Sequence, residues 1–120
     1  MIGDGGIGYH IGDLETAVRL NIPAITLVFN NSSLAYEYHV QKHVLGGPII
    51  DEVNDFAEVD HAAVARAFGA RGERVTTSDE LRAALAEAVQ QNAPTLIDVV
   101  VSKEQPAPVT TYEGVLDRPV

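Results

Sequence analysis

Four glycines and one aspartate lie within the six residues Gly3–Gly8. Glycines let the backbone approach a ligand closely and point several N–H groups at it, and a helix that begins there favours an anion. Asp4 adds a carboxylate to the same turn. The stretch therefore predicts a phosphate-binding turn, with a tight strand-to-helix turn that holds no ligand as the alternative.

A pair of asparagines follows at a distance that one helix and one strand would fill. Residues 6–29 separate Gly5 from Asn30-Asn31. This spacing brings together the carboxyl ends of two neighbouring parallel strands, where α/β sheets bind ligands. Mg²⁺ takes six oxygens, usually from one or two carboxylates together with phosphate. Asp4, an amide oxygen of Asn31 and a backbone carbonyl would leave room for diphosphate oxygens and a water.

A second ligand fits part of the same pattern. Gly3-x-Gly5-x-x-Gly8 matches the dinucleotide fingerprint, which also needs an acidic residue about 20 positions later, at the end of the next strand. That strand ends in Asn30-Asn31, without a carboxylate. The sequence therefore disfavours NAD.

Composition narrows the classes of partner. The chain has 120 residues, enough for one domain, and carries 8 Lys+Arg against 17 Asp+Glu, a net charge of −9. Nucleic acids and anionic membranes need a basic surface, so we expect neither as a partner. A bound phosphate must be held by backbone N–H groups and a metal. Because the chain has no cysteine, disulfides and thiolate sites are excluded.

The start of the chain shows no targeting signal. Residues 1–6 contain no basic segment and no long apolar core, so no signal peptide is predicted. No run approaches 18 apolar residues, the length that would indicate a membrane span. We expect a soluble, cytoplasmic chain.

Helical and strand patterns alternate along the sequence. Apolar spacing, breakers and a capping box predict, in order, a helix over 11–18, a strand over 24–29, a less regular stretch over 30–55 broken at Gly46-Gly47-Pro48, a helix over 60–68 closed by Gly69, a strand over 72–75, a helix capped by Thr77 and Glu80, and a strand over 95–101.

This alternation predicts an α/β fold with a parallel sheet and right-handed crossovers, a three-layer α/β/α domain over residues 1–101. Residues 102–120 show no period and are expected to form an arm or a disordered tail. Only Met1-Ile2 precedes the glycine-rich turn, which needs a strand leading into it. We therefore expect a domain truncated at its N-terminus.

Gly3-Asp4-Gly5 followed by Asn30-Asn31 resembles the signature of thiamine diphosphate (ThDP) enzymes. The resemblance covers roughly residues 2–101 and is to the C-terminal, diphosphate-binding domain of that superfamily. Gly8-Tyr9-His10 and His39-Val40-Gln41 make the chain similar to acetolactate synthase and benzaldehyde lyase-like enzymes. Further matching segments are 13–19, 21–23, Phe56-Ala57, 67–72 and 94–99.

The resemblance implies a role for each matching position. Asp4 and Asn31 would ligate Mg²⁺ through their side chains, and Ser33 through its carbonyl. Gly3, Gly5 and Gly6 would belong to the cofactor site, the latter two donating backbone N–H groups to the diphosphate. Leu34 and Ala35 would lie near the cofactor, together with Tyr36, although this stretch departs from the family pattern, which often includes a glycine and an aromatic residue there.

The resemblance also implies parts that the chain lacks. The glutamate that activates the cofactor lies in a separate N-terminal domain, usually of a partner subunit, so no catalytic residue is assigned here. The expected whole is a homo-oligomeric carboligase, lyase or decarboxylase acting on 2-keto acids or related small carbonyl compounds. This chain alone would bind cofactor without turnover. The alternative is a truncated, non-catalytic α/β module that self-associates through a bare sheet edge.

The four histidines do not form a recognisable metal-binding or catalytic pattern in the sequence. His39 and His43 stand four apart, as in a metal pair, but no third ligand is evident and a structural pair is predicted. His10 could face a substrate or serve the turn, and His61 is predicted to be structural at a helix start. A serine-hydrolase elbow is absent from the sequence.

Overall fold

The computed structural model describes residues 1–105. Its elements, in chain order, are β1 (Ile2–Gly3), α1 (Asp4–Ile7), α2 (Asp13–Arg19), β2 (Ile25–Asn30), α3 (Ala35–Val40), a π-helical turn (Gln41–Leu45), α4 (Asp51–Asn54), α5 (His61–Ala67), β3 (Arg71–Val75), α6 (Ser78–Gln91) and β4 (Thr95–Val100). The alternation of helix and strand predicted from the sequence is confirmed.

The four strands form one parallel sheet in the order β1-β2-β4-β3. β4 pairs with β2 along its whole length, from Ile25↔Thr95 to Asn30↔Val100, and with β3 on its other side. A strand between two neighbours and two helical layers is buried on both faces, which is why β4 is mostly apolar, apart from Thr95 and Asp98. The α/β fold with a parallel sheet is thus confirmed.

Helices cover both faces of the sheet. Successive side chains of a strand point to opposite faces, and Leu96 and Ile97 accordingly belong to two different core clusters. Leu96 packs with Val28 and with residues of α1, α2 and α5. Ile97 packs with Ala84 and other residues of α6. The sheet is therefore the middle of three layers.

The helix boundaries read from the sequence have visible causes. The Thr77 side chain accepts a hydrogen bond from the Glu80 N–H, and the Glu80 carboxylate accepts one from the Thr77 N–H, which completes the predicted capping box. Asp60 caps α5 by accepting from the Ala63 N–H at 2.8 Å. Gly69 follows the end of α5 with φ +88°, a conformation that glycine adopts without strain.

The stretch between Asn30 and Asp55 is more regular than predicted. It holds α3, the π-helical turn and α4, because contacts distant in sequence override its weak periodicity. Tyr38 and His39 are buried. The Gln41 side chain accepts hydrogen bonds from the Ile50 N–H and the Asn54 side chain, both at 3.0 Å. Gly46, at φ +61°, ends the helical run, as the predicted breaker requires.

Residues that follow β4 fold back onto α3 and α4. Glu104 accepts hydrogen bonds from the Tyr38 hydroxyl at 2.7 Å and from Lys42 at 2.6 Å, and Lys103 donates to Asp55 at 2.8 Å. The hydrogen bond from Lys42 lowers the pKa of Glu104. Residues 106–120 of the predicted tail lie outside the described part of the chain. Within residues 1–105, no helix has the length and apolar character needed to span a bilayer.

Candidate functional site

The carboxyl ends of β1 and β2 bring two polar residues to one cavity. Gly3 pairs with Phe29 across these strands, so that Asp4 and Asn30 follow at the same edge of the sheet. Both line a cavity of about 380 Å³, called here the Asp4 cavity. Its other lining residues are Gly5, Gly8, Ile11, Phe56, Ala57, Val59 and His61.

Asn31 lines a neighbouring cavity of about 280 Å³, together with Ser32, Glu58 and Arg74. The two cavities share Asn30 and Phe56 in their walls. The structure therefore places the predicted ligands Asp4 and Asn31 at the same edge of the sheet, in adjoining cavities.

One carboxylate oxygen of Asp4 is buried without a hydrogen-bond partner among the described residues. Asp4 Oδ1 accepts a hydrogen bond from the Gly5 N–H at 3.0 Å. Oδ2 is the buried oxygen that has no such partner in the described part of the chain. A buried polar atom without a partner costs free energy, which a bound cation would offset. The donor set therefore fits a metal at Asp4.

The turn from Asn31 to Ser33 offers neutral oxygens. Asn31 Oδ1 accepts from the Ser33 N–H at 3.0 Å and, as an amide oxygen, has a second lone pair. The Ser33 hydroxyl donates to the Asn54 carbonyl at 3.2 Å. The resemblance assigns the metal to the Ser33 backbone carbonyl, which is another neutral oxygen of this turn. Neutral oxygens and one carboxylate suit Mg²⁺ that also binds phosphate.

The glycines of the turn permit close packing. A Cβ at Gly5 would lie 3.1 Å from Leu34 Cδ2 and 3.3 Å from the Phe56 ring, and a Cβ at Gly6 would lie 2.9 Å from Ile2 Cγ1. At Gly3 a Cβ would meet nothing within 4 Å. Leu34 thus contacts the glycine turn, whereas Ala35 begins α3 beside it. Where the sequence predicts a turn, the structure has the four-residue helix α1.

Sequence reasoning missed a buried polar group beside the Asp4 cavity, the Asn30 cluster, which consists of Asn30, His61 and Asp98. Asp98 Oδ2 accepts hydrogen bonds from the His61 N–H at 3.1 Å and from Asn30 Nδ2 at 3.3 Å. All three residues are buried, and Asp98 is 0% exposed. The available signal was a carboxylate inside the apolar run of β4, since buried charges need partners.

Arg74 supplies positive charge on the far side of this cluster. Its Nε lies 3.8 Å from Asp98 Oδ2, and it donates a hydrogen bond to Glu58 at 2.7 Å. The hydrogen bond to Glu58, reinforced by the charge of Asp98, raises the pKa of Arg74, although burial opposes the shift. Arg74 therefore remains cationic at the wall of the Asn31 cavity.

The remaining histidines lie apart from both cavities. His10 lines a separate groove and stands 3.7 Å from Asp13. His39 and His43 stack with ring centroids 5.6 Å apart. Within residues 1–105, no three His, Cys, Asp or Glu side chains cluster in a way that could hold a metal ion. A metal at Asp4 would thus depend on neutral protein oxygens and on its ligand.

Comparisons with known proteins identify the family of the chain. A family model described as the thiamine pyrophosphate enzyme C-terminal TPP binding domain matches residues 1–99. The putative thiamine pyrophosphate-containing protein YdaP of Bacillus subtilis is 39% identical over 90% of this chain and 18% of its own length. The acetolactate synthase of the same species is 34% identical over 82% of this chain and 17% of its own length.

A solved structure shows the same fold. The thiamine diphosphate-dependent 4-hydroxybenzoylformate decarboxylase of Rhodococcus jostii superposes with a TM-score of 0.75 and 29% identity. The match covers 84% of this chain and 19% of the decarboxylase. The chain therefore spans about a fifth of the length of the proteins it matches.

Proposed function

The chain belongs to the family of C-terminal thiamine pyrophosphate-binding domains of thiamine pyrophosphate enzymes, and from this premise we propose that it binds ThDP through Mg²⁺. Its relatives and structural neighbours include lyases, decarboxylases and synthases. Within that range, the proposed whole is an acetolactate synthase-like carboligase, lyase or decarboxylase acting on 2-keto acids or related carbonyl compounds.

The observation that carries the proposal is the unpartnered Oδ2 of Asp4 in the wall of a cavity. Asp4 would hold the metal through that atom, with the Asn31 side chain and the Ser33 carbonyl as further ligands. The metal would offset the diphosphate charge, in place of the basic cluster that an acidic chain lacks. The backbone of Gly3, Gly5 and Gly6 would lie against the diphosphate, with Leu34 and Ala35 beside the cofactor.

When bound, the cofactor supplies a carbon nucleophile for carbonyl substrates and takes up the electron pair released when the adjacent bond breaks. This chain's residues would bind and orient it. The residue that activates the cofactor is proposed to come from an N-terminal domain of a partner chain in a cytoplasmic homo-oligomer. No catalytic residue is therefore assigned within residues 1–120.

The test is calorimetric titration of ThDP into the 120-residue chain, with Mg²⁺ and then with EDTA. Asp4→Ala should abolish the Mg²⁺-dependent heat, because it removes the one carboxylate of the proposed site. Asp13→Ala is the matched control, since it removes an exposed carboxylate that is 86% accessible and does not line the Asp4 cavity.

Heat that persists in EDTA, or in Asp4→Ala, would contradict the proposed metal site. No heat in any arm, together with self-association in sedimentation, would favour the alternative of a non-catalytic module.

A further inference from the structure

The orientation of the Asn30 side-chain amide is dictated by its neighbours. Asn30 Nδ2 lies 2.9 Å from the Val59 carbonyl and 3.3 Å from Asp98 Oδ2. A carbonyl and a carboxylate only accept hydrogen bonds, so the amide nitrogen must face them. His61 Nδ1, also 3.3 Å from Nδ2, is a third acceptor in the tautomer that carries its proton on Nε2. The amide oxygen must consequently point the other way.

That oxygen meets the turn that carries the proposed metal ligands. Asn30 Oδ1 accepts a hydrogen bond from the Ser32 N–H at 3.2 Å and lies 3.4 Å from the Ser32 hydroxyl. Ser32 adopts φ +53°, which residues other than glycine seldom adopt and which needs support from its surroundings. Asn30 gives that support, on the residue between Asn31 and Ser33.

We propose that Asp98 is a positioning residue, which fixes the Asn30 amide and through it presets the Asn31–Ser33 turn for the metal. The proposal rests on the proposed function in assigning Asn31 and Ser33 to the cation. Asp98 lies 68 residues from Asn30 in the chain and belongs to β4, one of the two inner strands. Its contact with the turn is indirect, so its effect on binding must pass through Asn30.

The surroundings of Asp98 favour this role over a purely structural one. Asp98 Oδ2 already accepts from the His61 N–H, which satisfies the start of α5. Asp98 Oδ1 has no hydrogen-bond partner among the described residues and stands 3.7 Å from His61 Nδ1. A carboxylate needed only to satisfy one N–H could be replaced by a smaller acceptor. Arg74 Nε, 3.8 Å from Asp98 Oδ2, gives the charge of Asp98 a structural partner, but the contact with Asn30 is the one that reaches the turn.

The experiment compares three variants of the 120-residue chain at one pH. Asn30→Asp places a carboxylate oxygen where Nδ2 now meets Asp98, so the two acceptors repel each other. Asp98→Asn keeps an acceptor oxygen for Asn30 and is the conservative control for the hydrogen bond, although it removes the negative charge that faces Arg74 at 3.8 Å. The double variant N30D/D98N reverses the direction of the bond, because Asn at 98 can donate to Asp at 30.

The first readout is amide hydrogen exchange at Ser32 and Ser33, followed by NMR without cofactor. We expect exchange at Ser32 to quicken about tenfold in N30D, the loss of about one net hydrogen bond, and to change little in D98N. The double variant should recover part of the protection, since its contact with the Val59 carbonyl stays unfavourable and the His61 N–H loses the oxygen that it shares with Asn30. The second readout is the Mg²⁺-dependent Kd for ThDP, which should weaken about tenfold in N30D and follow the same order.

Unchanged exchange at Ser32 in N30D would overturn the proposal. So would a double variant no better than N30D at Ser32 in which the His61 amide keeps its original exchange rate, because the loss would then belong to the Val59 contact. Should N30D not fold by circular dichroism, Asn30→Ala takes its place, with the same expected loss at Ser32. If wild-type chain binds no ThDP while the exchange results hold, the proposed function fails and the positioning role stands.

Discussion

Gly72 lies directly against the Ala62 carbonyl: a Cβ at position 72 would stand 2.1 Å from that oxygen. The contact lets α5 pack on β3 at backbone distance, and it involves no flexible side chain that could move aside. The approach of α5 to the sheet also carries His61 to Asp98, beneath the candidate site.

Gly72→Ala is therefore expected to destabilise the chain by about 3 kcal/mol, a cost in the range of overpacked cores. Gly12→Ala is the matched control, because a Cβ there meets nothing within 4 Å and the residue already has helical angles. It should change the free energy of unfolding by less than about 0.5 kcal/mol. Urea unfolding measures both, and equal midpoints would refute the contact.

Acid stability should depend on Glu80. Hydrogen bonds from Thr76, its backbone N–H above all, and from Thr77 lower the pKa of Glu80 below its usual 4.5. Because the folded pKa lies below the unfolded one, the carboxylate stabilises the fold above about pH 4.5, and this stability is lost as the pH falls through the folded pKa.

Glu80→Gln should thus lower the melting temperature at pH 7. Near pH 3, the melting temperatures of the variant and of the original chain should be the same. Glu37→Gln, which neutralises an exposed carboxylate in the first turn of α3, should keep the original acid profile. Parallel melting curves for Glu80→Gln and the original chain at every pH would count against the cap.

His39 should govern stability near neutral pH. Burial is the main cause that lowers its pKa, the charges of His43 and Lys42 add to the shift, and a backbone hydrogen bond with Lys103 opposes it. The folded chain thus resists protonation, so stability present above the unfolded pKa of about 6.5 is lost as the pH falls below it.

His39→Gln should flatten the dependence of melting temperature on pH between 8 and 5.5. His10→Gln alters an exposed ring, 64% accessible, and should leave that dependence in place. If His39→Gln left the dependence of melting temperature on pH unchanged, that dependence would belong to other titratable groups.

The residues after β4 should be coupled to α3 through the Tyr38 hydroxyl. Tyr38→Phe removes the hydroxyl that donates to Glu104 and accepts from Lys42 at 3.2 Å, while two lysine ammonium groups, each 5.2 Å from the ring centroid, can stay. We expect a modest loss of melting temperature, and a smaller effect of Glu104→Gln in Tyr38→Phe than alone. Tyr36→Phe, at a 65% exposed ring, is the control and should have no effect. Additive effects of the two substitutions would exclude the coupling.

Local patterns predicted the elements whose causes are local. The Thr77–Glu80 box, the left-handed Gly69 and the apolar runs of β2 and β4 depend on residues within a few positions of one another, so the sequence shows them directly. The helix α3 was not predicted, because contacts with residues distant in the chain hold its buried Tyr38 and His39 in place.

The residues of the candidate site also fall into a group that the sequence predicts and a group that it does not. Asp4 and Asn31 could be named from their spacing, because parallel strands bring their carboxyl ends to one edge. The Asn30 cluster could not be assembled from spacing, since Asp98 reaches it from another strand and His61 from the start of a helix. Its members were visible in the sequence as polar residues, but their partners depend on the order of the strands.

That order has a consequence for how the chain is made. β4 is the last strand of residues 1–105 and lies between β2 and β3. A ribosome delivers the chain from its N-terminus, so β2 and β3 emerge before the strand that joins them. Until Thr95–Val100 leaves the exit tunnel, the edge of β2 that pairs with β4 has no partner strand. Asn30 then lacks the Asp98 carboxylate as a hydrogen-bond acceptor. The pairings that join β2 to β3, and the hydrogen bond between Asn30 and Asp98, can therefore form only after β4 has emerged.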